Sequence, residues 1–450
     1  EAISLCLNFL LKIMRILNPS GLNLKVCFLG SFFFLLLNQA NCQYNKVTDY
    51  TFETGGIIGF GRQTPFWLIC NQFEQNSKEL FSGFASFQIK TDTDTVKNFD
   101  FGYNLELLER NDGNNNFRLQ QASLTLKYHF LHLRIGSEED TYGNQYTPLS
   151  SGSLLWSQNT RPMPKIVAST NGYTDVPFTQ GYVQFSGLLV HGWFGEDGFV
   201  KDAYLHHKNV YVKVGGKLPV NLSMGLQHYA VWGGVSPIAR HGALPSDFKA
   251  YTRVFFSRSG DSDDPNTPQN ESLNKLGNHL GSWNYGIDIK QSNYTAGIYY
   301  QTIFEDYSGF SKWIMRDGLW GLNLEGKDKS KIVNTLVYEF IHTSYQSGKA
   351  NEIKNPTTKE EDNFFTNSIY RSGWTYNNFT IGTPLISSPA ILKKDTISII
   401  NNRVIAHHIG LRGLISKGLN YKMLLTLSRN FGTYREKEAF LNPELVQSLY

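Results

Sequence analysis

The side chains that could do chemistry in this chain are few and scattered. Glu138, Glu139 and Asp140 are consecutive, and Asp261, Asp263 and Asp264 share one short loop. Paired carboxylates serve glycoside hydrolysis, but the fold, not the sequence, sets their separation. The second cluster superficially resembles a Ca²⁺ loop. Pro265 and Asn266 break the ligand spacing and no Gly follows in place, so it reads as a solvated acidic loop. His407 and His408 are neighbours on a strand pattern and point to opposite faces, a poor metal pair. The sequence holds no H-E-x-x-H, G-x-S-x-G, P-loop or C-x-x-C, and Gly234–Ser236 runs into Pro237, which rules out a nucleophile elbow. No catalytic residue, metal or cofactor is expected, and the chain reads as a non-enzyme.

What remains is aromatic and basic. Trp156, Tyr173, Trp313, Trp320 and Trp374 fall in or beside predicted loops, and Trp232 and Trp283 end strands, with Arg161, Arg240, His241 and Arg316 nearby in sequence. Flat rings stack on the apolar faces of sugars, and Arg forks pair with the carboxylates of acidic sugars. The set expected to bind polysaccharide is Trp156, Arg161, Trp232, His241, Trp313, Arg316, Asp317 and Trp320. For any single Trp, a place in a membrane-interface girdle is the simpler reading.

The elements that must position these residues are strands. In Phe99–Leu107 the odd positions are Phe, Phe, Tyr, Leu and Leu, and the even ones Asp, Gly, Asn and Glu. Val220–Gln227 and Trp283–Lys290 alternate in the same way, and Val210–Val214, Ala296–Tyr300, Leu336–Phe340, Ile405–Leu411 and Tyr421–Leu427 do so more weakly. Leu124–Phe130 alternates and then flips phase at Leu131, which marks a bulge or a very tight turn flanked by His129 and His132. The best runs approach the roughly nine to eleven residues of a tilted membrane strand, against about five or six for ordinary strands. Short turns (111–116, 215–217) contrast with long polar connections near 137–180, 233–280, 305–332, 346–366 and 382–403. That asymmetry belongs to outer-membrane barrels. The expected fold is therefore all-β, a transmembrane antiparallel β-barrel. Phe101 and Leu105 face lipid, and Asp100, Asn104, Glu106, Asn284, Asp288 and Lys290 line the interior.

Composition agrees. Aromatics are 14%, with 40 Gly against 15 Pro, and the mean hydropathy of −0.31 excludes a bundle of membrane helices. The net charge is only +4, with no basic run longer than a pair, so no nucleic-acid partner is expected. Val26–Leu37 (VCFLGSFFFLLL) follows Lys25 and leads into NQANCQ. A basic flank, a short apolar core and a small-residue exit describe a signal peptide cut after Cys42, with lipidation of Cys42 the weaker reading because Gln39 and Asn41 fit a lipoprotein site poorly. Residues 1–42 are thus upstream and export sequence, and 43–450 the barrel. Met14 is the more natural start than Glu1. Cys6, Cys27 and Cys42 would leave with the export segment, and Cys70 alone makes no disulfide framework. Tyr434–Tyr450 lacks alternation, so the chain is expected to be cut short of its closing strands.

Seven segments together resemble the capsule-assembly Wzi family of outer-membrane proteins in its Bacteroidetes form. They are Thr64–Asn71 (TPFWLICN), Thr160–Ile166 (TRPMPKI), His228–Pro237 (HYAVWGGVSP), Leu244–Phe255 (LPSDFKAYTRVF), Gly277–Asn284 (GNHLGSWN), Asp317–Gly321 (DGLWG) and Tyr338–Gly348 (YEFIHTSYQSG). The resemblance implies one barrel of about eighteen strands, plugged by loops, with a small helical element on the periplasmic side. It also implies lectin-like binding and surface organisation of capsular or exopolysaccharide, with no catalytic residues to carry over. Capsular polysaccharide, outer-membrane lipid or lipopolysaccharide, and other capsule-export proteins are the implied partners. Two rivals stand beside it: a porin-like channel for small solutes, and a barrel enzyme acting on lipid or glycan, which would need two acids or a Ser–His pair at one rim.

Overall fold

The computed structural model describes residues 47–60, 64–113, 115–146, 148–238, 241–305, 307–311, 316–346, 362–391, 398–434 and 444–449. Residues 1–42, expected to be upstream and export sequence, lie outside these residues, as do Arg240 and Trp313.

Two-faced segments become strands of a long antiparallel meander. In chain order they are β1 (Asp49–Ile58), β2 (Phe81–Thr91), β3 (Phe99–Asn111), β4 (Asn115–Tyr128), β5 (Leu131–Ser137), β6 (Lys165–Thr170), the two-residue β7 (Thr174–Asp175), β8 (Val183–Trp193), β9 (Tyr204–Val214), β10 (Val220–Trp232), β11 (Asn278–Lys290), β12 (Tyr294–Gln301), β13 (Gly318–Gly326) and β14 (Thr335–His342). A small hairpin, β15 (Thr375–Tyr376) with β16 (Phe379–Thr380), stands apart. The meander resumes with β17 (Val404–Ser416), β18 (Leu419–Asn430) and β19 (Glu444–Leu449). Among the described residues the main sheet has 17 strands. The last strand pairs Glu444–Leu449 with Asn430–Leu425 although its sequence does not alternate, because backbone pairing alone needs no alternation.

The faces are inverted relative to a soluble sandwich. On β3, Asp100, Asn104, Glu106 and Leu108 are buried, while Phe99 and Phe101 are exposed. On β11, Asn284 is buried. Asp288 and Lys290 share its face but lie near the turn into β12, where Asp288 pairs with Lys213 (2.6 Å) and both side chains meet solvent. The expected phase flip after β4 is a two-residue turn, with His129 at φ 53. A bulge sits within β4 instead. Glu106 pairs with Gln121 but Leu107 with Leu119, so Gln120 and Gln121 are both buried.

The sheet curls around its own connections. Residues 138–164, between β5 and β6, reach strands all along the meander. Asp140 accepts from Arg134 on β5 and from Lys165 on β6. Asn144 N–H donates to Asn284 on β11, and Leu154 N–H to Gln301 on β12. Glu339 on β14 accepts from Ser150 and Ser151, and His408 on β17 donates to the Leu149 carbonyl. One segment can touch strands so far apart in pairing order only if the sheet wraps around it. Residues 362–391 and 398–403 add to the filling: Trp374 donates to Leu155 O and packs edge-on against Tyr229 of β10. Trp67, on the short helix α1 (Phe66–Ile69), donates to Thr426 of β18. Glycines make room on this inner face. A Cβ on Gly225 would lie 2.0 Å from the ring of Tyr211, its cross-strand partner.

The two ends differ. Between β1 and β2, β5 and β6, β10 and β11, and β14 and β17, the chain makes long connections, all at one end. At the other, β2–β3, β4–β5, β9–β10, β11–β12 and β17–β18 are joined by short turns. The helices α1, α2 (Phe248–Phe255), α3 (Gln269–Leu273) and α4 (Tyr307–Phe310) all belong to the long-loop end. Among the described residues no helix lies at the short-turn end, and none is long and apolar enough to cross a membrane. Parts of the expected loops are strands: β6 and β7 interrupt 137–180, and β13 interrupts 305–332.

Phe101→Arg places a charge on the outward face, so unfolding in vesicles should show a loss of about 2–4 kcal/mol. Glu339→Ala leaves Ser150, Ser151 and Tyr299 without their acceptor. In planar bilayers the parent should pass almost no current, and this variant should show intermittent openings.

Candidate functional site

The long-loop end carries two Arg-centred clusters. In the first, the stretch after α1 is held in an unusual backbone: Asn71, Phe73 and Glu74 have φ of 54, 49 and 58. Inward residues of β3 and β4 fix it. Arg110 and Arg118 both donate to the Glu74 carbonyl (3.1 and 2.6 Å), and Gln120 to that of Phe73. Arg161 joins them, its backbone N–H donating to Glu74 Oε1 (3.0 Å) while its guanidinium lies 5.8 Å from the Tyr376 ring. The Asn377 amide, turned so that its oxygen faces Arg161, accepts from Nε. Burial pushes the Glu74 carboxyl up to about 7, against the pull of the Arg161 N–H and the three guanidinium groups. Arg161 itself stays half-exposed.

The second cluster joins β13 to β14. Asp317, buried just before β13, accepts from His342 Nδ1–H (2.8 Å) and from the N–H of Tyr345 (3.0 Å) and of Gln346. With that tautomer, His342 Nε2 accepts from the Ser344 hydroxyl (3.0 Å). The order Ser–His–Asp is that of a nucleophile relay. However, Ser344 is only 2% exposed, and the two N–H groups beside it are spent on Asp317. The relay therefore works as a strut that closes the end of β14. Arg316 is exposed above, 4.9 Å over the Tyr345 ring.

The other expected binding residues are placed differently. Trp156 is 4% exposed, stacks on Tyr229 and donates to Asp140 O, so it offers no ring face to a sugar. Trp232 is likewise enclosed, among Tyr204, His191 and Tyr251. Trp320 is outward on β13 and stacks on Tyr300 (4.0 Å), which in turn stacks on Tyr285. That is the girdle arrangement. His241 is half-buried in the β10–β11 connection. The structure thus brings Arg316 next to Asp317, and gathers Arg161 with Arg110, Arg118, Glu74 and Tyr376, which sequence reasoning missed. The positive φ at non-Gly residues 71–74 has no sequence signature.

A cleft of about 310 Å³ opens in the β10–β11 connection, lined by Asp247, Lys249, Arg253, Asp261, Asp263 and Thr267 among others. Asp261 pairs with Lys249 and Arg253. Nearby, Glu271 is 3% exposed, with no well-formed hydrogen bond to either carboxylate oxygen. Burial pushes its carboxyl up to about 7, and the Gly277 N–H only partly offsets this.

A family model described as capsule assembly protein Wzi matches residues 38–387. Among solved structures, one of an Escherichia coli protein is described as Wzi, an outer-membrane protein involved in group 1 capsule assembly and a carbohydrate-binding β-barrel. The likeness has a TM-score of 0.50 at 14% identity and covers 88% of this chain and 73% of that one. At that identity it speaks to fold. The outer-membrane channel DcaP of Acinetobacter baumannii aligns at TM-score 0.37 and 10% identity, over 91% of this chain and 97% of that one. A Rhodopseudomonas blastica porin variant gives 0.36 and 9%, over 90% and 98%. No curated protein sequence matches.

Glu271 generates a pH prediction. A carboxyl whose folded pKa lies above its unfolded value holds its proton more tightly when folded. Stability is then greatest below the ordinary 4.5 and falls as pH rises to about 7, by at most about 3 kcal/mol. Protection factors at the amides of Gly260 and Gly277, corrected for the intrinsic pH dependence of exchange, should fall across that window, and Glu271→Gln should flatten their profile.

Proposed function

The chain belongs to the capsule assembly Wzi family, whose model spans most of its length, and from that premise we propose that it holds capsular polysaccharide at the bacterial surface from the long-loop end of its barrel. On this reading residues 1–42 export the chain, the barrel sits in the outer membrane, and the long loops face outward. The observation that carries it is the filled interior. The described parts of 138–164 and of 362–403 (138–146, 148–164, 362–391 and 398–403) enter from one end and occupy the space a solute would need. A plugged barrel with an elaborated end is built to bind there, and a conducting barrel is not. An enzyme at the rim would need a reachable nucleophile, and Ser344 is enclosed.

The residues with open faces are Arg161 above Tyr376 and Arg316 above Tyr345. Each turns a guanidinium fork toward the carboxylate of a uronic-acid unit; Tyr345, half-buried beside Arg316, also offers ring surface to its apolar face, while the enclosed Tyr376 backs Arg161 from within. Asp317, buried next to Arg316, supports this surface by holding His342 and the Tyr345 backbone in place.

Deleting the gene and comparing cell-bound with shed polymer is the direct test. The expected result is polymer that is made but lost to the medium, and unchanged retention would sink the reading. With purified protein, replacing Arg161 and Arg316 together by Ala should weaken binding of an acidic polymer by roughly tenfold or more. The weakening should shrink as salt is raised.

A further inference from the structure

We propose that α2 is an interfacial helix, lying on the outer surface of the barrel rim with its exposed side seated in outer-leaflet lipid at headgroup depth. The proposal rests on the membrane-barrel reading and adds a lipid contact that the strands alone do not supply.

Strand parity fixes where α2 lies. On β10, Asn221, Gln227 and Tyr229 are buried and inward, and Tyr229 meets Trp374 of the plug. His228, Ala230 and Trp232 therefore point outward. Cross-strand pairing adds His206 and Tyr204 on β9, opposite Ala230 and Trp232, and His279 on β11, also opposite Ala230. Toward the short-turn end this same outward face is bare: Val210, Val212, Val214, Val220 and Leu222 are all exposed. At the long-loop end it is covered. Ala250 and Val254 of α2 form a buried cluster with Ala230, Trp232 and Leu276. Tyr251 lies 5.7 Å from both Trp232 and His206, and Phe255 5.3 Å from His206. Lys208 donates to the Phe255 carbonyl with its ammonium 4.0 Å from that ring, and Ser257 Oγ is 3.0 Å from His228 Nε2. The helix is therefore packed against the outside of the barrel, on the face that continues below as the lipid-facing belt.

Its remaining surface is not built for water. Phe248 is 79% and Phe256 63% exposed. With Thr252 between them they stand at i, i+4 and i+8, one stripe along the side away from the strands. The adjacent stripe is Lys249 and Arg253, both held by Asp261. Arg258 is exposed, its guanidinium 5.6 Å from the Phe256 ring. A short helix with aromatics on its free side and cations beside them is the pattern of an interfacial segment, rings among acyl chains and cations at phosphate level. The depth agrees, because the exposed Trp193 at the end of β8, opposite Tyr204 on β9, is placed as a girdle residue is. The occupant is thus the membrane's own outer-leaflet lipid, reached by continuity with the belt.

The test uses the full chain in vesicles of outer-membrane lipid. p-Benzoylphenylalanine replaces Phe248 or Phe256, neither of which is packed in the core. Leu222 is the belt control and Lys331, in the β13–β14 turn, the water control. After irradiation, lipid adducts are read by mass spectrometry. Adducts at 248, 256 and 222 but not 331 are expected. Adducts at 222 alone, or cross-links from 248 and 256 to added polysaccharide or to a second copy of the chain, overturn the interfacial helix and leave the barrel reading intact. No lipid adduct even at 222 would bring down the membrane barrel itself, and this proposal with it.

Discussion

Water is kept from much of this barrel's inner wall, and the chemistry of that wall follows from the exclusion. Once an inward polar group is out of contact with water it must find a partner or lose several kcal/mol. The inner wall carries Asn104, Glu106, Gln121, Gln301, Glu339 and His408, all buried. Part of that demand is met laterally, as in the chain Gln88–Asn104–Gln121–Glu106 across β2, β3 and β4. The rest is met by the plug, whose serine hydroxyls and backbone groups answer Gln301, Glu339 and His408 in turn. Wall and plug are complementary, and neither is stable in this form without the other.

The same exclusion shapes the surface where binding is proposed. Loops committed to filling the lumen leave at the rim only the residues at their bends. Arg161 emerges from such a loop and Arg316 from the β12–β13 connection, each over a tyrosine from the chain's own loops. The strained stretch around Glu74 is tolerated because three side chains from the wall grip its carbonyl groups. The Asp317–His342–Ser344 strut does similar work across β13 and β14, with hydrogen bonds that elsewhere would activate a nucleophile.

Alternation made the mid-membrane parts of the strands legible. Phe99–Leu107, Val220–Gln227 and Trp283–Lys290 all fall within observed strands, with the apolar face outward. The signal stops where the environment stops being two-faced. β10 runs on to Trp232 through His228, Tyr229, Ala230, Val231 and Trp232. Those residues are enclosed on both sides, by the plug within and α2 without, so the polar half of the pattern vanishes. Trp156 was misread for a related reason. A loop that enters a barrel has the composition of a loop and the burial of a core, and nothing local separates it from one that stays in water. The Arg cluster around Glu74 unites residues from three distant stretches, and no spacing rule reports such a meeting. The family likeness, carried by short motifs in order, supplied what periodicity could not: that the lumen is plugged.

The plug also sets a sequence of events in time. Trp374 bonds a carbonyl 219 residues earlier, and Trp67 a hydroxyl 359 residues later. Contacts of such separation form late and slowly, because loop-closure entropy must be overcome first. Until those contacts form, the inward amides and carboxylates that the plug answers stay without their partners. Biogenesis of this protein is therefore a packing problem before it is an insertion problem. The unfinished state, wide open and lined with unanswered amides, is the one a cell's assembly and quality-control machinery has most reason to recognise.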